Sequence, residues 1–140
     1  AAVLEPGEDL TSERVIKAVG PFALSSLHYI YDKIKENGGD PPAHVRGIWE
    51  EYTAEVEKVP VSHRHMRVHA GHCTFIHPDE VKFITPELIK GTCLVGSPGA
   101  LIEQLRELEL AGMDHVILLP SLEAQYRNFE EFSTKVMAHL

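Results

Sequence analysis

Five of the chain's nine histidines, and one of its two cysteines, fall in one stretch, SHRHMRVHAGHCTFIH, from Ser62 to His77. On a helix His65 and His69 point to one side, and His72 follows just past Gly71, a spacing that three imidazoles use to hold zinc with a fourth position open. Two features oppose that reading. No glutamate completes an HExxH arrangement, and Arg64 and Arg67 stand among the would-be ligands, where their charge repels a dication. Guanidinium groups instead grip carboxylate or phosphate through paired hydrogen bonds, and histidines titrating near neutrality exchange protons there. No metal is assigned, and a His-rich zinc site stays as an alternative. Arg67, His69, His72 and His77 are the expected substrate- or cofactor-facing residues; spacing does not let all five histidines converge on one site, and His63 projects to another side of a helix. The plainer reading of the same residues is a partly exposed helix and turn that caps carbonyl groups or lies at a subunit contact. No catalytic acid, base or nucleophile is identified. Cys73 adjoins His72, but neighbours on a strand face opposite ways, so Cys73 reads as a small buried thiol.

A second motif, Gly96-Ser97-Pro98-Gly99, presents free backbone N–H groups and the positive end of a helix dipole, as phosphate sites do. It lacks the Lys-Ser/Thr of a P-loop and the GxGxxG fingerprint. Gly96 and Ser97 are therefore only weak phosphate-binding positions, and Ser97 as a helix N-cap followed by Pro98 accounts for the motif.

The elements that would position these groups are readable in outline. Ala1–Leu4 reads as an apolar strand end running into a Pro-Gly turn, with Glu8 and Asp9 favouring helix entry. Pro21 suits the first turn of a further helix, with Ala23, Leu27, Ile30 and Ile34 on one stripe until Asn37-Gly38-Gly39 ends it. A third helical stretch carries Val45, Ile48, Tyr52 and Val56 on one face. The histidine segment is expected as a short helix capped by Ser62 and ended at Gly71, leading into a β-rich run Cys73–Ile76. Thr85-Pro86 starts a brief helix to Gly91. Thr92–Val95 reads as a strand, Ala100–Ala111 as a helix with Leu101, Leu105 and Leu108 inward and Gly112 as its cap, and His115–Leu119 as a strand buried on both faces. The last helix, near Ala124 to His139, places Phe129, Phe132 and Val136 on one side. Glu50-Glu51, Glu103 with Glu107, and Glu130-Glu131 read as solvated faces, and Trp49 as core or interface. By segment, residues 1–60 are mainly helical, 61–91 form a His/Arg-rich connection, and 92–140 form a terminal strand–helix–strand–helix unit, all within one domain or fragment.

With 140 residues and 44% hydrophobic composition the chain is long enough to bury one core. A formal charge of −8 argues against nucleic acid, which is held by clustered Lys and Arg. The longest apolar run, Val116–Leu119, falls far short of the roughly 20 residues of a membrane span, and no leader pattern is seen, so a cytoplasmic protein is expected. The two cysteines form no CxxC pair and suggest no disulfide scaffold. The terminal strand–helix alternation calls for a parallel sheet with more strands than the chain displays, since a (β/α)8 barrel typically takes about 250 residues.

Several stretches together resemble the C-terminal part of the luciferase-like monooxygenase superfamily, in its flavin- or F420-dependent oxidoreductase branch: VLEPGEDLTSERVI, DPPAHVRGIWEEY, RHMRVHAGHCTFIHPDE, FITPELIKGTCLVGSP and ELAGMDHVILLP. The resemblance implies an α/β fold that is the C-terminal part of a (β/α)8 TIM barrel, helix-rich with few parallel strands and incomplete as a barrel alone. It also implies FMN or F420 in the complete protein, with hydride transfer involving a small-molecule substrate. In that family much of the cofactor pocket comes from earlier strands, so this chain alone is expected to bind no cofactor and to be inactive. The alternative is a non-catalytic, truncated module that self-associates or binds a small anion. A homo-oligomer is expected in either case, because unpaired strand edges invite a second copy.

Overall fold

Ser12 opens the longest helix, its hydroxyl accepting from the Val15 N–H at 3.2 Å. This helix, α1 (Glu13–Asn37), runs without interruption through Pro21. The expected helix start at Pro21 is thus a mid-helix position, and proline is tolerated because the carbonyl it strands, that of Lys17, takes a donor from Ser121. Gly38, at φ +73°, and Gly39, at φ +111°, end the helix as expected. The third stretch is two helices, α2 (Ala43–Arg46) and α3 (Trp49–Glu57), broken at Gly47-Ile48, with Val45, Tyr52 and Val56 on the buried side as their spacing implied.

The histidine helix, α4, covers Val61–Val68; it begins after Pro60, with no side-chain cap from Ser62, and closes at His69. Cys73–Ile76 is not a strand. Gly71 O accepts from Thr74 N–H (2.7 Å) and Phe75 N–H (3.0 Å), so the chain coils into a turn there. A 3-10 turn, Pro78–Phe83, and α5 (Pro86–Thr92) follow, the latter close to expectation. Next come α6 (Pro98–Leu110), N-capped by Ser97, and α7 (Gln125–Lys135), with a final 3-10 turn at Met137–His139.

The sheet consists of β1 (Ala2–Val3) and β2 (Val95–Gly96), parallel, with Ala2 opposite Val95 and Val3 opposite Gly96. The computed structural model describes Ala1 to Leu140 and is 61% helical and 3% strand, which makes it a helix-rich α/β fold with a two-stranded sheet rather than a closed barrel. His115–Leu119 does not form a strand. Its backbone pairs with nothing, and Ile117 and Leu119 are 85% and 65% exposed. A doubly covered strand needs neighbours on both edges, and with two strands in the sheet none reaches it.

Contacts divide the chain into two units, Ala1–Val19 with Cys93–Leu140, and Gly20–Thr92. In the first, Val3, Leu101, Leu105, Phe132 and Val136 make one buried cluster, with Leu94, Ile102, Leu108 and Leu118 packed against it. Phe129 is not part of the inward stripe expected for it: it is 49% exposed. Nor is Glu131 solvated, since it is 9% exposed and bound to Lys135 (2.9 Å) and Arg127 (3.3 Å). In the second unit, Tyr52 stands edge-on to Tyr31 (centroids 5.8 Å apart) and Phe83 (5.3 Å), and Tyr31 meets Trp49 at 6.2 Å. No helix is long and apolar enough to cross a membrane.

Candidate functional site

The second unit gathers chemistry between α1 and the segment from α4 to the 3-10 turn. On α1, Ser25, His28, Tyr29 and Asp32 recur at helical spacing and share one side. Opposite them, the coil after α4 supplies His69, His72 and Cys73. His69 Nε2 lies 2.8 Å from Asp32 Oδ2. A carboxylate only accepts, so Nε2 carries the hydrogen and Nδ1 keeps a lone pair for a proton. Both side chains are partly open to solvent. Around this dyad, the His69 ring sits 5.8 Å from Tyr29 and 5.7 Å from His72, and His72 is edge-on to Tyr29 at 5.5 Å.

Cys73 holds the coil against α1. Its N–H donates to Ser25 Oγ at 3.0 Å and its Sγ lies 3.3 Å from the same oxygen, with the residue at φ 58°. A non-glycine residue in that region is strained, and here the buried Ser25 hydroxyl holds it.

Beneath the dyad runs a buried charge chain. Glu80, 4% exposed, places Oε1 3.0 Å from His28 Nε2 and Oε2 3.6 Å from Arg67. Arg67 also stands 3.8 Å from Asp79 and 3.4 Å from His77 Nδ1. His28 is 6.2 Å from both Tyr52 and His69, ring to ring. Burial pushes the Tyr52 phenol pKa up, and the negative charges of Glu80 and Asp32 add to that, so Tyr52 stays protonated.

Of the expected residues, His69 and His72 come together at the dyad, and Arg67 and His77 together at Asp79. Arg67 is no open anion fork, because two carboxylates already face it. His63 bonds Ser62 Oγ on the surface (2.9 Å), and Arg64 caps α3 through Val59 O (3.2 Å) and Glu57 O (3.4 Å). No group of three or more His, Cys, Asp or Glu side chains is placed to hold a metal. Sequence reasoning missed Asp32, His28 and Glu80. The available signal was the polar set Ser25, His28 and Asp32, which recur at helical spacing on one side of α1.

At the C-terminal ends of β1 and β2 a groove is lined by Leu4–Glu8, Ser97, Pro98 and Lys135. There Ser97 Oγ accepts from Ala100 N–H (3.4 Å) and Gly96 O accepts from Leu4 N–H (2.8 Å), so both weak phosphate positions serve the fold. These residues do not fit a phosphorylated flavin or deazaflavin. The groove's one amine is bound to Glu131, and Glu5 and Glu8 bring carboxylates to its lining. Comparison with protein-family models, curated proteins and solved structures finds no match to the chain.

Proposed function

We propose that this chain supplies late strands, their helices and one wall of the substrate pocket to a luciferase-like, flavin- or F420-dependent oxidoreductase of (β/α)8 architecture. The observation that carries the reading is the exposed run His115–Leu119, whose side chains are those of a strand covered on both faces while its backbone has no partner. The parallel β1–β2 pair, followed directly by α6, is the strand–helix unit such a barrel repeats. In this reading His69, oriented by Asp32, takes or gives a proton at the substrate, and His72 and Tyr29 form the adjoining wall. Arg67 and His77 hold the segment in place through Glu80 and Asp79. The redox step belongs to the cofactor, which this chain's residues do not hold by themselves.

The test is a titration with FMN and with F420, of the chain alone and of a longer polypeptide in which barrel strands precede it. Binding by the longer polypeptide only is the expected result; binding by neither ends the proposal. The open run also favours a second reading, a self-associating module without catalysis. That reading expects a concentration-dependent dimer in sedimentation, lost in Ile117→Lys, and no cofactor binding by either polypeptide.

A further inference from the structure

In the first unit a groove of about 570 Å3 lies against the end of α6, the coil from Met113 and the end of α7. Its size is that of a small-molecule site, for which roughly 300–1,000 Å3 is usual. The walls are mostly apolar: aliphatic side chains such as Leu105 and Leu118, the phenylalanine rings of Phe129 and Phe132, and two methionines, Met113 and Met137. Flexible thioethers let such a wall adapt to the shape of its guest. Two carboxylates, Glu109 and Asp114, share the lining, and no lysine or arginine does. Both acids are exposed and neither is in an ion pair, so their charge at the groove is uncompensated by the chain. The only other titratable side chain in the lining is His115.

This combination selects its guest by elimination. An organic anion would meet two uncompensated negative charges, and a neutral hydrocarbon would cover them without offering a partner, which is costly. A cation on an apolar body satisfies everything at once: its charge meets the carboxylates, its hydrogens or methyl groups meet the faces of the phenylalanines, and its body fills the aliphatic part. We infer that this groove binds a hydrophobic organic cation, an ammonium group carried on an alkyl or aryl body. The groove shares His115, Val116 and Leu118 with the run that supports the barrel reading, while the carboxylates and phenylalanine rings that select the guest lie outside that run, and the binding test below involves neither FMN nor F420.

The probe is decyltrimethylammonium, kept below its micelle concentration and titrated calorimetrically into the full chain, with decyl sulfate as the control of identical tail. Saturable one-site binding of the cation is expected, with the sulfate weaker by about tenfold or more, the combined worth of a cation–ring contact and a partly screened ion pair. The double variant Glu109→Gln/Asp114→Asn loses affinity for the cation by a similar factor. Both positions are exposed, so the variant folds, and Glu103→Gln on the same helix but outside the lining leaves binding unchanged. The inference is overturned if the cation does not saturate, if sulfate binds equally well, or if the double variant binds as the parent does.

Discussion

Ser121 Oγ donates to the carbonyl of Lys17 at 2.8 Å, replacing the helical N–H that Pro21 cannot provide. The hydroxyl is 3% exposed, so the carbonyl has no easy recourse to water once it is removed. Ser121→Ala is expected to cost about 1–2 kcal/mol, the range for stranding a buried polar group. In a Pro21→Ala background the helix recovers its own donor and the same substitution costs less, by about 1 kcal/mol in a double-mutant cycle. Equal costs in the two backgrounds, read from urea unfolding midpoints, would show that serine and proline are not coupled.

Acid sensitivity in the first unit centres on Glu8. The Arg14 guanidinium bonded to its carboxylate holds its pKa at about 2, aided by the Glu5 N–H and the Ser12 hydroxyl and opposed by slight burial. An unfolded glutamate titrates near 4.5, so this contribution is complete above that pH and is lost as pH falls toward 2. The stability gap between the parent and Glu8→Gln is therefore expected to be widest above pH 4.5 and to close toward pH 2. At neutral pH it amounts to about 1 kcal/mol, since solvent near the pair screens it. A gap that stays constant across that window rules out the depressed titration.

Glu80 and Asp79 are adjacent carboxylates with opposite fates. Glu80 is 4% exposed and joins His28 to Arg67, whereas the Asp79 side chain is 72% exposed. Because His28 Nδ1 has no partner, Glu80 is the only hydrogen-bonding anchor of that ring. Glu80→Ala is expected to cost about 3 kcal/mol, the cost of breaking a buried ion pair on one side. Asp79→Ala stays within about 0.5 kcal/mol. Thermal melts of the two variants separate them; similar shifts would remove the buried chain from the account of stability.

Helix propensity alone favours alanine over glycine at position 91, by about 1 kcal/mol. The structure reverses the sign. A methyl group there would lie 2.6 Å from the His44 Cβ and closer still to its ring, where α2 packs on α5. Gly91→Ala is expected to destabilise by about 2 kcal/mol through overpacking. The double change Gly91→Ala/His44→Ala recovers most of that loss, and failure to recover would point to backbone rather than steric strain.

The sequence reading succeeded where the cause is local. Ser97-Pro98 starts α6 and Gly112 caps it at φ +94°, because capping and left-handed turns are decided by a few neighbouring residues. Pro21 misled the reading because what permits it inside a helix is Ser121, far along the chain. His115–Leu119 has the side chains of a buried strand, but pairing is a property of two segments, and no other segment of the chain pairs with it. The site divides in the same way. His69 and His72 stood out by density, whereas Asp32, His28 and Glu80 look like ordinary polar positions until the fold sets them face to face. Around Glu131, helical spacing already sets Arg127 and Lys135 four residues to either side, whereas Arg14 reaches it from the distant start of α1 and is not visible in spacing.

The β1–β2 pairing has a consequence for the order in which the molecule assembles. All of Gly20–Thr92 lies between Ala2 and Val95, so the two strands meet only after the ends of a very long loop find each other, a search whose entropic cost precedes any reward. The contacts that build the site inside Gly20–Thr92, such as His69–Asp32 and His28–Glu80, close loops of 37 and 52 residues and so meet a smaller entropic cost. The histidine-bearing unit is thus free to acquire its shape while the strand pair is still open.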